Sequence, residues 1–162
     1  MKIRDIIPNE ELVDDFNIDI EIESCTSNYK IANKKSLLFL LPGVNFDTYE
    51  LIPKYIASSP RAIVTESAVR FTNTKIPVIE VKNARRAYAY AQSKISGIDY
   101  SKMKFIGITG TNGKTSTATM IHHILGHCGI RCGFIGTGKI EFEGNSYADK
   151  YYSMTSPDPD TL

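Results

Sequence analysis

At 162 residues, with 19 Lys and Arg against 18 Asp and Glu and 42% hydrophobic residues, the chain has the composition of one or two globular domains. A net charge of +1 supplies no global field for nucleic acid, and no basic block exceeds Lys34-Lys35 or Arg85-Arg86, which argues against a nucleic-acid partner. The longest apolar run, the eight residues Leu37 to Val44, contains Pro42 and Gly43 and is far below the roughly 18 to 20 residues of a helical membrane span; with an acidic start in place of a signal peptide, a cytoplasmic chain is expected.

The predicted elements begin with short apolar runs. Leu37 to Leu41, Ala62 to Val64 and Pro77 to Val81 read as buried, parallel strands bounded by Pro or Gly. Between the first two, residues 48–59 place Leu51, Ile52, Tyr55 and Ile56 at helical spacing, with Pro53 in a first turn. After the third, residues 83–96 form a helix that Asn83 caps and Gly97 stops, with Ala84, Ala87, Tyr88 and Ala91 on one core-facing stripe. The strand-helix alternation indicates an α/β fold. Residues 97–103 are a polar linker, which sets domains at 1–102 and 103–162.

The second unit opens with Lys104 to Thr109 as an apolar strand. A Gly-rich loop follows, then a helix in which Met120, Ile121, Ile124, Leu125 and Cys128 form a core stripe and Gly129 marks the stop. Arg131 to Ile135 reads as the next strand, so residues 104 to 135 are expected to form one βαβ unit. Lys139 to Asn145 reads as a short strand ending in a turn at Gly144-Asn145. Residues 1–24 carry eight acids and two bases, so the remainder is basic, which suits either an anionic small molecule or a solvated acidic face at the start. Cys25, Cys128 and Cys132 have no C-x-x-C spacing and read as reduced thiols.

The chemistry concentrates in Thr109-Gly110-Thr111-Asn112-Gly113-Lys114-Thr115-Ser116, between strand and helix. Glycines allow the tight turn that points successive N–H groups into one concavity, and the helix N-terminus adds partial positive charge. Lys114 would reach the β- and γ-phosphates of ATP, and the Thr115 hydroxyl would hold Mg2+. The strict G-x-x-x-x-G-K-[ST] pattern needs glycine at position 108, where this chain has Ile108. His123 and His127 stand four apart, near Cys128 and Cys132, but Ile124 occupies the place of a zinc protease's Glu, so helix-end packing is expected there. Asp158 and Asp160, in a Pro-rich turn, suggest no acid/base pair.

This shortened loop resembles the ATP loop of the Mur ligases. Leu38-Phe39, Gly43 and Asp47 resemble the family's N-terminal segment, residues 133–144 the strand and turn after its ATP helix, and residues 154–162 (MTSPDPDTL) its N-T-T-P-[DE] segment, closest to the MurE type. The resemblance implies an N-terminal UDP-muramoyl-binding α/β domain over 1–102. Residues 103–162 would then be the first βαβ part of a P-loop middle domain, an incomplete one. It further implies an ATP-dependent peptide ligase of peptidoglycan precursor synthesis, acting through an acyl phosphate. Gly110, Thr111, Asn112, Gly113, Lys114, Thr115 and Ser116 would cradle ATP, with Lys114 catalytic and Thr115 the Mg2+ ligand. Thr155 and Ser156 would contact the UDP-MurNAc-dipeptide, and Lys30 would offer a phosphate contact where the family shows D-S-R. The expected partners are that substrate, an amino acid and the remainder of such a ligase, with no membrane partner. A non-catalytic nucleotide- or UDP-sugar-binding piece, or a sibling ligase sharing the loop, is the alternative.

Overall fold

Short β-rich runs in the first hundred residues can satisfy their backbone groups only by pairing with one another, and they do so in sequence order. In the computed structural model, which describes residues 1–14, 19–43, 47–72, 74–136 and 139–146, the chain divides into units Met1–Tyr100 and Ser101–Leu162. The first holds an all-parallel sheet of β1 (Ser24–Thr26), β2 (Ser36–Phe39), β3 (Ala62–Thr65) and β4 (Val78–Glu80), in that order. Leu37 lies beside Ala62 and Ile63 beside Val78.

Because side chains alternate along a strand, the sheet feeds two cores. Leu37, Phe39, Val64 and Ile79 pack with Ala84, Ala87, Tyr88 and Ala91 of helix α2 (Ala84–Ser96) and with Ile3, Ile6 and Ile7. Leu38, Leu40 and Ile63 pack on the opposite face with Tyr55 of helix α1 (Ile52–Ala57) and with Phe71. The expected helix over 48–59 is thus two pieces, a 3-10 turn at Thr48–Leu51 and then α1, with Pro53 in its first turn. Asn83 caps α2 by accepting from the Arg86 N–H at 2.8 Å, and Gly97 ends it at φ +68°.

Strand β1 has no signature in the sequence, since Ser-Cys-Thr carries one apolar side chain. Its place comes from partners: it pairs with β2, Cys25 enters the core, and the Gln92 amide on α2 donates to the Cys25 carbonyl at 3.1 Å. Glu11 is buried, and its carboxylate is paired with the Arg86 Nε at 2.9 Å while its carbonyl accepts from the Lys82 N–H. An unpaired carboxylate in that place would cost several kcal/mol, on the order of 3 to 5.

Tyr55 ties α1 to the loop after β1, donating its hydroxyl to the Ser27 carbonyl at 2.9 Å. Burial, with the Tyr29 phenol beside it, pushes the Tyr55 hydroxyl up to about 12. The folded chain therefore keeps this proton longer than the unfolded one. Stability is full below about pH 10 and declines as pH rises from there toward 12. Tyr55→Phe is expected to flatten that alkaline decline and to lower neutral stability by about 1 kcal/mol. Urea unfolding at about pH 8 and about pH 10.5 measures both, and an undiminished decline in the variant would refute the assignment.

In the second unit helix α3 (Lys114–His127) precedes an antiparallel sheet of β5 (Gly133–Gly136), β6 (Lys139–Phe142) and β7 (Asn145–Ser146). Gly129, at φ +72°, closes the helix with bonds from the Gly129 N–H to Gly126 and from the Ile130 N–H to Leu125, both 3.0 Å. The expected βαβ unit is not formed. Residues 104–109 have no strand ladder, and β5 pairs antiparallel with β6, Gly133 opposite Phe142 and Gly136 opposite Lys139. A hairpin closes over a few residues, whereas a parallel ladder needs a neighbour brought from far along a chain. The turn between β6 and β7 falls at Glu143-Gly144, one residue earlier than expected, because both take positive φ (+48° and +79°) as a tight hairpin turn requires.

The core stripe expected on α3 is also overturned. Met120 is 64% and Ile124 61% exposed, and no residue of α3 is fully buried. The hairpin covers the other flank of the helix. There the His122 ring lies 6.1 Å from that of Phe134, and its Nδ1 is 3.7 Å from the Glu141 carboxylate. Among the described residues no helix is long and apolar enough to cross a membrane.

Candidate functional site

The Gly-rich loop turns into α3 through Gly113, whose φ of +76° is a left-handed conformation that side chains disfavour. Gly110 at φ +151° is likewise outside the range of ordinary residues. Helix α3 begins without a side-chain cap, and its first intrahelical bond runs from the Thr117 N–H to the Gly113 carbonyl at 2.9 Å. The N–H groups of the first turn, Lys114, Thr115 and Ser116, are therefore left without helical partners at the positive end of the helix dipole. Such an uncapped, positively polarised turn has the chemistry to receive an anion with several oxygens.

Lys114 adds a full charge to that turn. Its Nζ folds back to donate to the Gly110 carbonyl at 2.5 Å and to the Thr111 carbonyl at 3.4 Å, so the ammonium is held on the loop. Residues 109–117 are exposed throughout, which leaves Thr111, Asn112, Thr115 and Ser116 open to a ligand. The Thr115 hydroxyl is a hard oxygen donor on the first turn, a suitable ligand for Mg2+ beside phosphate oxygens. The expected ATP-loop residues, Gly110 to Ser116, are thus brought together on one turn.

The other expected residues lie elsewhere. Lys30 is in the first unit, exposed just beyond the C-terminal end of β1, in a turn where its N–H donates to the Asn28 side chain at 3.0 Å. Met154, Thr155, Ser156, Asp158 and Asp160 lie outside the described residues. His123, His127 and Cys128 are exposed on α3, and the Cys132 thiol points to the His122 carbonyl at 3.7 Å; among the described residues no three such side chains gather as a metal site.

Sequence inspection missed a second set of polar residues around the loop that leaves β2. Thr48 Oγ1 donates to the Leu41 carbonyl at 2.9 Å and accepts from the Gly43 N–H at 3.2 Å, while Arg85 donates to the Pro42 carbonyl at 2.8 Å. Arg70 pairs with Asp47 at 3.3 Å and stacks 4.2 Å over the Tyr49 ring. These residues rim the C-terminal ends of the parallel strands, where open α/β sheets take ligands. Only Gly43 and Asp47 carried a signal, because the partners are 23 and 43 residues away in the chain.

Residues 108–160 match the Mur ligase middle domain. The UDP-N-acetylmuramoyl-L-alanyl-D-glutamate–2,6-diaminopimelate ligase of Clostridium tetani is 34% identical over 140 residues, which cover 85% of this chain and 29% of that protein. The enzyme of the same name from Aquifex aeolicus is 35% identical over 116 residues, 72% of this chain and 23% of that one. The UDP-N-acetylmuramyl-tripeptide synthetase of Borrelia garinii is 30% identical over 148 residues, 88% of this chain and 28% of its own. The chain spans less than a third of these curated relatives. Among solved structures, the MurF ligase of Thermotoga maritima in complex with ADP superposes with a TM-score of 0.46 at 21% identity, covering 65% of this chain and 23% of that one.

Proposed function

Because the chain belongs to the Mur ligase family, we propose that its Gly110 to Ser116 loop holds the triphosphate of ATP for an amide ligation in peptidoglycan precursor synthesis, in the cytoplasm. The acceptor is UDP-MurNAc-L-Ala-D-Glu and the product carries a third amino acid. A carboxylate oxygen of the acceptor takes the γ-phosphoryl group and releases ADP. The amine of the incoming amino acid then bonds to the carbonyl carbon as phosphate leaves and a proton is given up.

The observation that carries this proposal is the uncapped first turn of α3, with Gly113 in the left-handed region and the Lys114 ammonium on the loop. The N–H groups of Lys114, Thr115 and Ser116 would bind the phosphate oxygens and keep the transferring group in place. Lys114 would offset the charge that brings two anions into repulsion. Mg2+, held at Thr115, would supply further charge compensation between the phosphates. Lys30, Thr155 and Ser156 would contact the UDP-muramoyl substrate, Lys30 as a point charge without an arginine's fork.

Calorimetric titration with Mg-ATP and with Mg-UTP tests the loop directly. Saturable binding of both nucleotides through their shared triphosphate is expected, with Mg-AMP not binding. Equal binding of Mg-AMP would place the contact on the nucleoside and reject the loop as a polyphosphate cradle. Release of phosphate when UDP-MurNAc-dipeptide and diaminopimelate or lysine are added, with the remainder of a ligase supplied, tests the reaction itself.

A further inference from the structure

Side chains tie together the connections that leave the C-terminal edge of the parallel sheet. The connections after β2 and β3 run to the face of Tyr55 and Phe71, whereas the one after β4 enters α2 on the opposite face. Where connections part in this way, an open α/β sheet has a crevice at its strand ends. Arg85, on the first turn of α2, spans that parting and donates to the Pro42 carbonyl at 2.8 Å. Arg70 of the β3 connection pairs with Asp47 of the β2 connection at 3.3 Å. The Ala84 N–H of α2 donates to the Glu66 carboxylate, just past β3, at 2.8 Å. The contacts thus close a ring, from α2 to the β2 connection, on to the β3 connection and back to α2. Glu80, at the end of β4, braces it by accepting from the Ala68 N–H at 2.8 Å.

Residues 41–43 are where the ring bears on the backbone. They lie beyond β2, which ends at Phe39, yet the Leu41 carbonyl and the Gly43 N–H are bonded to Thr48 and the Pro42 carbonyl to Arg85. Gly43 is exposed and Leu41 and Pro42 are only half-buried, so water could serve these groups, and a connection that merely joins two elements needs no such hold. The end of α2 is not itself an anion site like the first turn of α3, because its Ala84 and Arg86 N–H groups go to Glu66 and Asn83. We propose that Arg85 is a positioning residue: through the Pro42 carbonyl it holds residues 41–43 in the shape that receives the uridine end of the substrate. A preformed loop binds more tightly because less freedom is lost when the ligand arrives. The proposal rests on the reading that the first unit binds UDP-MurNAc-L-Ala-D-Glu, for which Lys30 stands at the same edge of the sheet, beyond β1.

The test compares the 162-residue chain with its Arg85→Ala and Arg85→Lys variants, and with Thr48→Val, which releases the same loop from its other side. In Arg85→Ala the Gly43 amide should exchange its hydrogen at least about 10-fold faster, while the Leu38 and Ile63 amides within the sheet keep their rates. UDP and uridine are then titrated by NMR. Arg85→Ala should bind both about 5- to 10-fold more weakly, the worth of one ordered hydrogen bond, and Thr48→Val should follow it. Arg85→Lys can still donate to Pro42 and should recover part of the affinity. The melting temperature of Arg85→Ala should stay at the wild-type value, since the bond it loses is exposed. A loss confined to UDP would make Arg85 a phosphate contact and overturn the positioning role. Unchanged Gly43 exchange, or wild-type affinity for both ligands in the alanine variant, overturns it as well. A wild-type chain that binds neither ligand rejects this proposal together with the reading of the first unit on which it rests, whereas the ATP loop stands or falls by its own titration with Mg-ATP.

Discussion

Lys114→Ala is expected to weaken Mg-ATP binding by about 10- to 100-fold while leaving the fold intact. The ammonium is the one full positive charge on the first turn of α3, and a charge-assisted contact to phosphate is worth about 1.5 to 3 kcal/mol, each 1.4 kcal/mol being tenfold in affinity. Its loss removes only two bonds to the carbonyls of Gly110 and Thr111, both exposed and both free to bond water instead. Lys114→Arg keeps the charge but exchanges a compact ammonium for a planar fork, so it should recover part of the affinity. Calorimetry beside a thermal melt decides the matter. Unchanged affinity in the alanine variant would remove Lys114 from the nucleotide site.

The largest loss of stability is expected from Phe39→Ala. Phe39 is fully buried on the second of four strands, its ring 4.9 Å from that of Tyr88 on α2, so it joins the sheet to the helix that covers it. Truncating such a side chain costs about 3 to 5 kcal/mol through lost transfer energy and an unfilled cavity, a large fraction of a domain's stability. Val69→Ala, at a position 81% exposed, is the matched control and should change stability by no more than about 0.5 kcal/mol. The chain has no Trp, and six of its nine Tyr lie in the first unit, so tyrosine fluorescence in a urea titration reports chiefly on that unit. A Phe39→Ala midpoint as high as that of Val69→Ala would show that the sheet and α2 are not held together through this ring.

Much of the candidate site was legible because its determinants are neighbours in the chain. Gly113 followed by Lys114, Thr115 and Ser116 specifies a left-handed turn, a helix start and a charge within four residues, and each follows from backbone sterics or side-chain chemistry alone. The rim around the β2 loop was not legible. Arg85 and Pro42, like Arg70 and Asp47, meet only after the parallel sheet has brought the ends of its strands to one side.

The same division runs through the fold. The sequence by itself determined the helix over 84–96, since Asn83, the alanine-rich stripe and Gly97 act within one segment, and it determined the three apolar strands, whose side chains feed the cores on the two faces of the sheet. Tertiary structure alone decided that Ser24–Thr26 is a strand, because three residues with one apolar side chain acquire a ladder only from β2. It also decided the direction of β5 and the exposure of Met120 and Ile124. Periodicity records which side of a helix is suited to burial, but burial itself requires a second surface, and the hairpin that α3 meets lies against its other flank.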